Sequence, residues 1–557
     1  MNRFLLFCVA CLLFAAAPHA AALDWWTVTN LHLAEAGYSA AYGVSDGRQV
    51  GWAYVGGDWY ASLWSGTAES WVDLHPAGST VSLARGVSGG QQVGYAVVGD
   101  QQHASLWSGT AASWVDLNPA GSSYSSAYGV SDGQQVGWGY VGGVTHAGLW
   151  SGTAASWVDL NPAGSSYSSA YGVSGGEQVG WARLGEGEHA GLWTGTAESW
   201  VDLHPAGAGS SQASGVSGGQ QVGWAYVGGI NRANHAALWS GTAESWVDLH
   251  PAGAIQSWAY GVSGDQQVGY VDVAGDGHYH ASLWSGTAES WVDLHALLPT
   301  GYSYSYARGV FTSGVVTWVV GEARNTSLNR TEAFLWRHFV LEASISIGQA
   351  KDVPLDTFVW IQDAVVTATN LDADSVFVES ADRVSGIKLL TSEALTVGQR
   401  VSFTGKVGRI DGEYQISCVT FEEISSGTVL SPLGVTTKAI GNDPTETLNY
   451  IGINTTGLLV RICGKVDAKI SMHNVIYVDD GGNYQDGLGP FHGIRVRCPE
   501  GVALPSKGQR VVITGISRVH LHVLTDWGEV NGDWYPAGTA VYVPSIWVRD
   551  SEDIQVL

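Results

Sequence analysis

Positive charge is what this sequence has least of. No lysine occurs before Lys351, and over 557 residues 25 Lys and Arg stand against 50 Asp and Glu, a formal net charge of −25. A surface of that sign repels phosphate backbones and anionic headgroups, so nucleic acid and anionic membranes are not expected partners. Charge of either sign is scarce, 13% of residues, while 75 glycines and 26 tryptophans are present. Disorder needs high charge and few aromatics, so this composition points to tight-turned β structure in two to four domains. Cysteine is nearly absent. Cys8 and Cys11 fall in the first eleven residues, leaving Cys418, Cys463 and Cys498. An odd count in an exported chain allows at most one internal bridge, and Cys463–Cys498 is the expected pair, with three buried thiols as the alternative.

Long apolar runs are missing too, except at the start. Arg3 precedes FLLFCVACLLFAAA, which ends at Pro18-His19-Ala20. This reads as a secretory signal peptide over 1–22, cut near Ala20 or Ala22. Lipidation would need Cys11, but Cys8 stands where a Leu-like residue is wanted and the apolar run continues past it. No later stretch is apolar enough to span a bilayer. The expected location is therefore secreted, extracellular or cell-surface, with the periplasm also open. Beyond the leader there is no H-E-x-x-H, Walker loop or Cys-x-x-Cys, and neither cofactor nor metal is expected.

What is present is a repeat. The glycine of A-x-G-V falls at Gly43, Gly86, Gly129, Gly172, Gly215, Gly261 and Gly309, at spacings of 43, 43, 43, 43, 46 and 48. Each unit holds four short β-rich runs separated by turn residues. In the third they are SAYGVS, VGWGYV, HAGLWS and SWVDLN. Four antiparallel strands per unit make one propeller blade. The seventh unit runs from TEAFLW into RHFVLEASI and lacks the W-V-D-L run, whereas TVTNLH at the N-terminus aligns with SWVDLH. The N-terminal strand is expected to complete the seventh blade and close a ring over about residues 24–338. An open β-solenoid is the alternative, but it gives no reason to split a repeat between the two ends.

These units resemble the HAF-type extracellular repeats of bacterial exported proteins. The likeness rests on ARGV at 84–87, QQVGY at 91–95, HASLW at 103–107, WVDL at 114–117 and EAFLW at 332–336. It covers all seven units and implies export and a propeller-like fold, but no particular reaction. This chain departs from the pattern with Ser105 and Gly148, where the family prefers Phe.

His103, His146, His189, His235 and His280 share one register, and Asp73, Asp116, Asp159, Asp202, Asp248 and Asp293 another. A catalytic group is needed once, so groups recurring blade after blade are read as strand-locking hydrogen bonds. The repeated Trp64, Trp107, Trp150, Trp193, Trp239, Trp284 and Trp336 are read as packing between blades. The strand 1–2 and 3–4 turns barely vary, while the 2–3 and 4–1 loops do. In an antiparallel blade these varying loops share one face of the disc, and loops on a rigid scaffold are where binding residues concentrate. That face should carry Asp58, Trp59, Tyr60, Tyr124, Tyr167, Trp258, His278, Tyr279, Tyr302, Tyr304 and Tyr306, aromatics suited to sugar rings. Neutral loop drift is the alternative.

From about Leu341 the repeats stop. TVGQRVSFTGKV and SKGQRVVITGI echo each other, each within a five-strand pattern, which predicts OB-like barrels over 341–430 and 431–557. The expected fold is all-β, a seven-bladed propeller over 23–340 followed by the two barrels. Asp479, Asp480, Asn483 and Asp486 form an oxygen-rich loop, but they lack the spacing of a calcium site and read as a plain turn. The expected function is a non-enzymatic binding or adhesion protein, acting as a monomer on a glycan or protein. A polysaccharide-active enzyme with its site at the channel mouth, or a purely structural surface component, are the alternatives.

Overall fold

The computed structural model describes residues 23–557, apart from 229–232, 276, 342, 370, 373, 411, 441–454, 483, 485–489, 524–527, 531–532 and 536–539. The expected signal peptide, 1–22, lies outside them. The described chain forms two compact units that meet in sequence near residue 340.

The first unit is a seven-bladed propeller. Six four-stranded sheets each come from one repeat, and the seventh is made of Tyr302–Ser313, Val316–Asn325, Arg330–Leu341 and, as its outer strand, Leu23–Asn30. The ring closes as the repeat alignment predicts. The Leu31 amide donates to the Ala333 carbonyl at 2.9 Å, the bond that Leu74 makes to Ala61 in the first blade. Asn30 accepts from the His32 amide at 2.8 Å, as Asp73 does from His75 at 2.7 Å. The open solenoid is excluded, because the two ends of the repeat array share one sheet.

One irregularity recurs in every blade. In the third, Ser125–Ser131 pairs with Gln134–Val141, but the register slips between Ala127 and Gly129, leaving Tyr128 as an extra residue. The same β-bulge sits at residues 42, 85, 171, 214, 260 and 308. It bends the inner strand and turns one side chain out of the ladder. Two glycines make it possible. A Cβ on Gly137 would collide with the Ser126 carbonyl, and one on Gly129 would lie 2.8 Å from the Tyr171 carbonyl of the next blade. Gly129 and its equivalents are therefore where neighbouring blades touch at the hub.

The repeated polar residues weld the ring. His103 Nδ1 meets Asp116 at 2.8 Å, Asp116 accepts from the Asn118 amide at 2.8 Å, and Ser125 of the next blade donates to Asn118 at 2.6 Å. Ser125 in turn accepts from the Ala104 amide at 2.8 Å. The expected lock within a blade thus extends across the blade boundary. Buried Gln92 ties the two invariant turns, donating to the Gly90 carbonyl at 2.8 Å and accepting from the Gly109 amide at 2.7 Å. Blade seven has no 3–4 turn, and there Val319 takes the glutamine's place. Each repeated tryptophan packs into the preceding blade, as Trp107 does against Val50, Ala61 and Leu63.

The departure at positions 105 and 148 has a steric cause. Where the third strand has Ser105, the Trp114 indole N–H donates to its hydroxyl at 2.9 Å. Where it has Gly148, the Trp157 ring fills the space a Cβ would occupy. Blade seven keeps Phe334, and there Val28 stands opposite in place of a tryptophan.

The second unit holds two closed five-stranded barrels. The first is built from Phe358–Thr369, Ser375–Ser380, Gly386–Leu390, Arg400–Ile410 and Glu413–Ser425. The second uses Leu459–Ile470, Val475–Asp479, Ile494–Arg497, Arg510–Val523 and Ala540–Trp547. In both, the strand order is 1-2-3-5-4 closing on 1, with strands 3 and 5 parallel, the OB-type Greek key. Arg518 of the second barrel reaches Glu413 of the first with two bonds of 2.8 and 2.6 Å, and Asp372 at 2.9 Å. Burial works to raise the Asp372 carboxyl, but Lys388 and Arg518 outweigh it and hold it below its usual range.

The expected Cys463–Cys498 bridge is not formed, and both thiols are free. Strand alternation is the reason. Ile462 points into the second barrel, so Cys463 faces outward, whereas Cys498 is buried in the core, where burial pushes its thiol up to about 12. The carboxylate loop is partly visible. Asp479 caps the Gly481 amide at 2.9 Å, and Asp480 accepts from the Thr437 amide and hydroxyl at 2.8 Å each. Asn483 and Asp486 lie outside the described residues.

Two measurements check this account. Gly129→Ala should destabilise the propeller by ~1–3 kcal/mol through backbone overpacking, while Gly408→Ala, with nothing closer than 3.8 Å to its Cβ, should leave urea unfolding nearly unchanged. Burial, aided by the facing His189 and His235, holds His204 and His250 below their ordinary value. The unfolded chain then takes up protons that the folded one resists. The stability these neutral rings contribute is complete above about pH 6.5 and is lost as pH falls through their folded values. His204→Asn/His250→Asn, which copies Asn118 and Asn161, should flatten the fall in Tm between pH 7 and 5. An unchanged slope would place the loss on other groups.

Candidate ligand site at the centre of the ring

The seven bulges all face the axis. Tyr42, Arg85, Tyr128, Tyr171, Ser214, Tyr260 and Arg308, one per blade, line a cavity of about 640 Å³, together with Gln212, Trp224 and Trp258. This set lies outside the expected loop residues, apart from Trp258. Its trace in the sequence is the middle position of A-x-G-V, which changes from Tyr to Arg to Ser while its neighbours stay fixed.

A second layer supports the first. The Trp52 indole donates to the Tyr42 hydroxyl at 3.0 Å, and Trp138 to that of Tyr128 at 3.2 Å. Both phenols then keep a proton to donate. Burial raises the Tyr42 and Tyr260 hydroxyls and pushes Tyr171 up to about 12. These rings are neutral hydrogen-bonding groups at any physiological pH and do not serve as bases.

The two arginines sit in different surroundings. Arg308 lies 4.6 Å from the Tyr306 ring centre and 4.9 Å from that of Tyr260, and its guanidinium bonds Glu322 at 2.6 and 3.1 Å. Arg85 lies 4.7 Å from Tyr128, 5.7 Å from Tyr95 and 5.8 Å from Tyr42. It has no carboxylate within ion-pair distance among the described residues, and its Nε is buried without a hydrogen-bond partner.

The expected loop residues divide into groups. Trp258 lines the cavity and stacks on Tyr270 at 4.7 Å, with Tyr279 at 5.1 Å on the same ring. Tyr304 packs on Tyr306 at 5.7 Å, and Tyr279 also reaches Tyr306 at 5.6 Å. Tyr124 stands just before the third inner strand against Tyr140, and Tyr167 just before the fourth against Trp181. Trp59 packs on Trp52 and Tyr54 beside exposed Asp58. His278 is exposed. Two tyrosines are tied into the blades. Tyr60 takes the place of the repeated histidine and stacks on His75 at 4.3 Å, and Tyr302 donates to Glu332 at 2.6 Å.

No family model and no curated protein matches the sequence, so the likeness to HAF-type repeats rests on the repeat residues. Solved β-propeller structures are similar in fold. TolB from Acinetobacter baumannii is 9% identical at a TM-score of 0.30, over 57% of this chain and 82% of that one. The propeller domain of the Trilobed protease from Pyrococcus furiosus is 8% identical at 0.37, over 54% and 94%. Puromycin hydrolase is 11% identical at 0.38, over 63% of this chain and 61% of its own. The blade count rests on the strand pairing, and these similarities add no functional argument.

Glu322 is the strand-two residue where other blades have Trp or Tyr, and it neutralises Arg308. Glu322→Gln should lower the unfolding free energy by ~3 kcal/mol, the cost of leaving a buried charge unpaired. Adding Arg308→Tyr, the residue of four other blades, should recover most of that loss in urea titrations.

Proposed function

We propose that this protein is an exported, non-catalytic binding protein that takes a carbohydrate into the mouth of its ring. The carrying observation is the lining of the cavity. It offers tyrosine and tryptophan faces for the C–H surface of a sugar, and phenol, amide and hydroxyl groups for its hydroxyls. Its described lining contains no carboxylate, imidazole or thiol. Glycoside hydrolysis needs two carboxyl groups across the scissile bond, and the nearby Glu322 is engaged by Arg308. Binding without turnover is the reading this chemistry favours. The HAF-like repeats and the leader are consistent with export. The barrels, which share buried ionic and apolar contacts, fit a spacer or attachment module.

The test is a glycan panel on the full chain, read by titration calorimetry. Wild type should bind at least one oligosaccharide, and Trp258→Ala should weaken that binding about tenfold or more, by loss of a stacking face. Trp59→Ala should change it far less, since Trp59 is not in the lining. Absence of binding to every glycan, or equal binding by Trp258→Ala, would overturn the proposal. Turnover of a bound glycan would restore the enzyme reading.

A further inference from the structure

The repeat supplies its own comparison at Arg85. Two of seven blades carry arginine at the bulge. Where blade seven has Arg308, the facing position on the second strand is Glu322 rather than the Trp52, Trp138, Trp181 or Trp224 of other blades. Where blade two has Arg85, that position is Tyr95, and no carboxylate is supplied. The fold therefore neutralises one cation at the hub and leaves the other open, in a wall otherwise built of neutral rings.

A partly desolvated guanidinium flanked by three aromatic rings gains cation–π attraction, but its N–H donors still need acceptors. Only one charge needs balancing. A doubly charged phosphate ester would leave negative charge over in a chain that already carries −25. A carboxylate is a single charge, planar, and matches the guanidinium fork through two parallel bonds.

We propose that Arg85 receives the carboxylate of an acidic sugar, so that the ligand of the ring is a uronic-acid-containing saccharide. This rests on the carbohydrate reading above and narrows it. The ring orients such a ligand with its carboxylate toward blade two and its pyranose face toward Trp258 and Tyr260 across the cavity.

The experiment uses the full chain and paired trisaccharides, each a uronic acid (glucuronic, galacturonic or mannuronic) and its neutral hexose counterpart of the same linkage. Titration calorimetry is run at low and high salt. Wild type should bind one acidic trisaccharide at least about tenfold more tightly than its neutral partner, and the gap should narrow at high salt. Arg85→Gln should close the gap while keeping the circular-dichroism melting curve. Arg324→Gln removes a positive charge from the end of the second strand of blade seven, outside the cavity lining, and it should keep the gap. Equal affinity for acidic and neutral partners, a gap that survives in Arg85→Gln, or tighter binding of a sulfated counterpart would overturn the assignment while leaving the carbohydrate reading intact. No binding of any member would overturn both.

Discussion

Everything in the ring depends on the close approach of neighbouring inner strands at one glycine per blade. A seven-bladed disc has little room at its hub. The backbone of each blade comes within a Cβ radius of the next, so Gly86 lies against the Tyr128 carbonyl and Gly309 against that of Tyr42. The bulge beside each glycine is the other half of the same constraint. A crowded strand must shed one residue from its ladder, and the residue shed can only turn toward the axis. Scaffold and site are thus produced by a single local device, repeated seven times.

Farther out, hydrogen-bonded relays hold the blades together alongside the packed tryptophans. Asp116, Asn118 and Ser125 form one such relay, with histidine in place of asparagine in most other blades. The relay satisfies buried donors and acceptors in sequence, which a single isolated pair would not do. Substitution within it is tolerated where geometry is kept, as the chain shows by using both His and Asn at one place. The glutamines do the same for the invariant face, whose turns are constant because a buried side chain joins them.

Much of this was legible in the sequence. The period of the A-x-G-V glycines implied blades, and the alignment of TVTNLH with SWVDLH implied closure, because a strand missing at one end and present at the other can be joined only in a ring. The recurrence of His and Asp pointed to structure rather than catalysis, and their bonds between strands of one blade agree. The loop aromatics were selected by variability, which marks freedom from constraint rather than the position of a cavity, and this is why Trp258 alone lines it. The Cys463–Cys498 pair was counted rather than placed, and the two thiols lie on opposite sides of a barrel wall.

By itself the sequence determined the repeat, its number, its strand content and the way the ring closes, because these depend on local pattern and on matching ends. Tertiary structure decided where the repeats point their one variable inner residue. A bulge is visible only when the partner strand's register is known, and seven side chains spaced more than forty residues apart converge only when the ring is closed. It also decided that Arg308 is balanced and Arg85 is not. That difference depends on Glu322, which pairs with Tyr306 on the neighbouring strand and reaches Arg308 at hydrogen-bonding distance because the bulge turns Arg308 toward it.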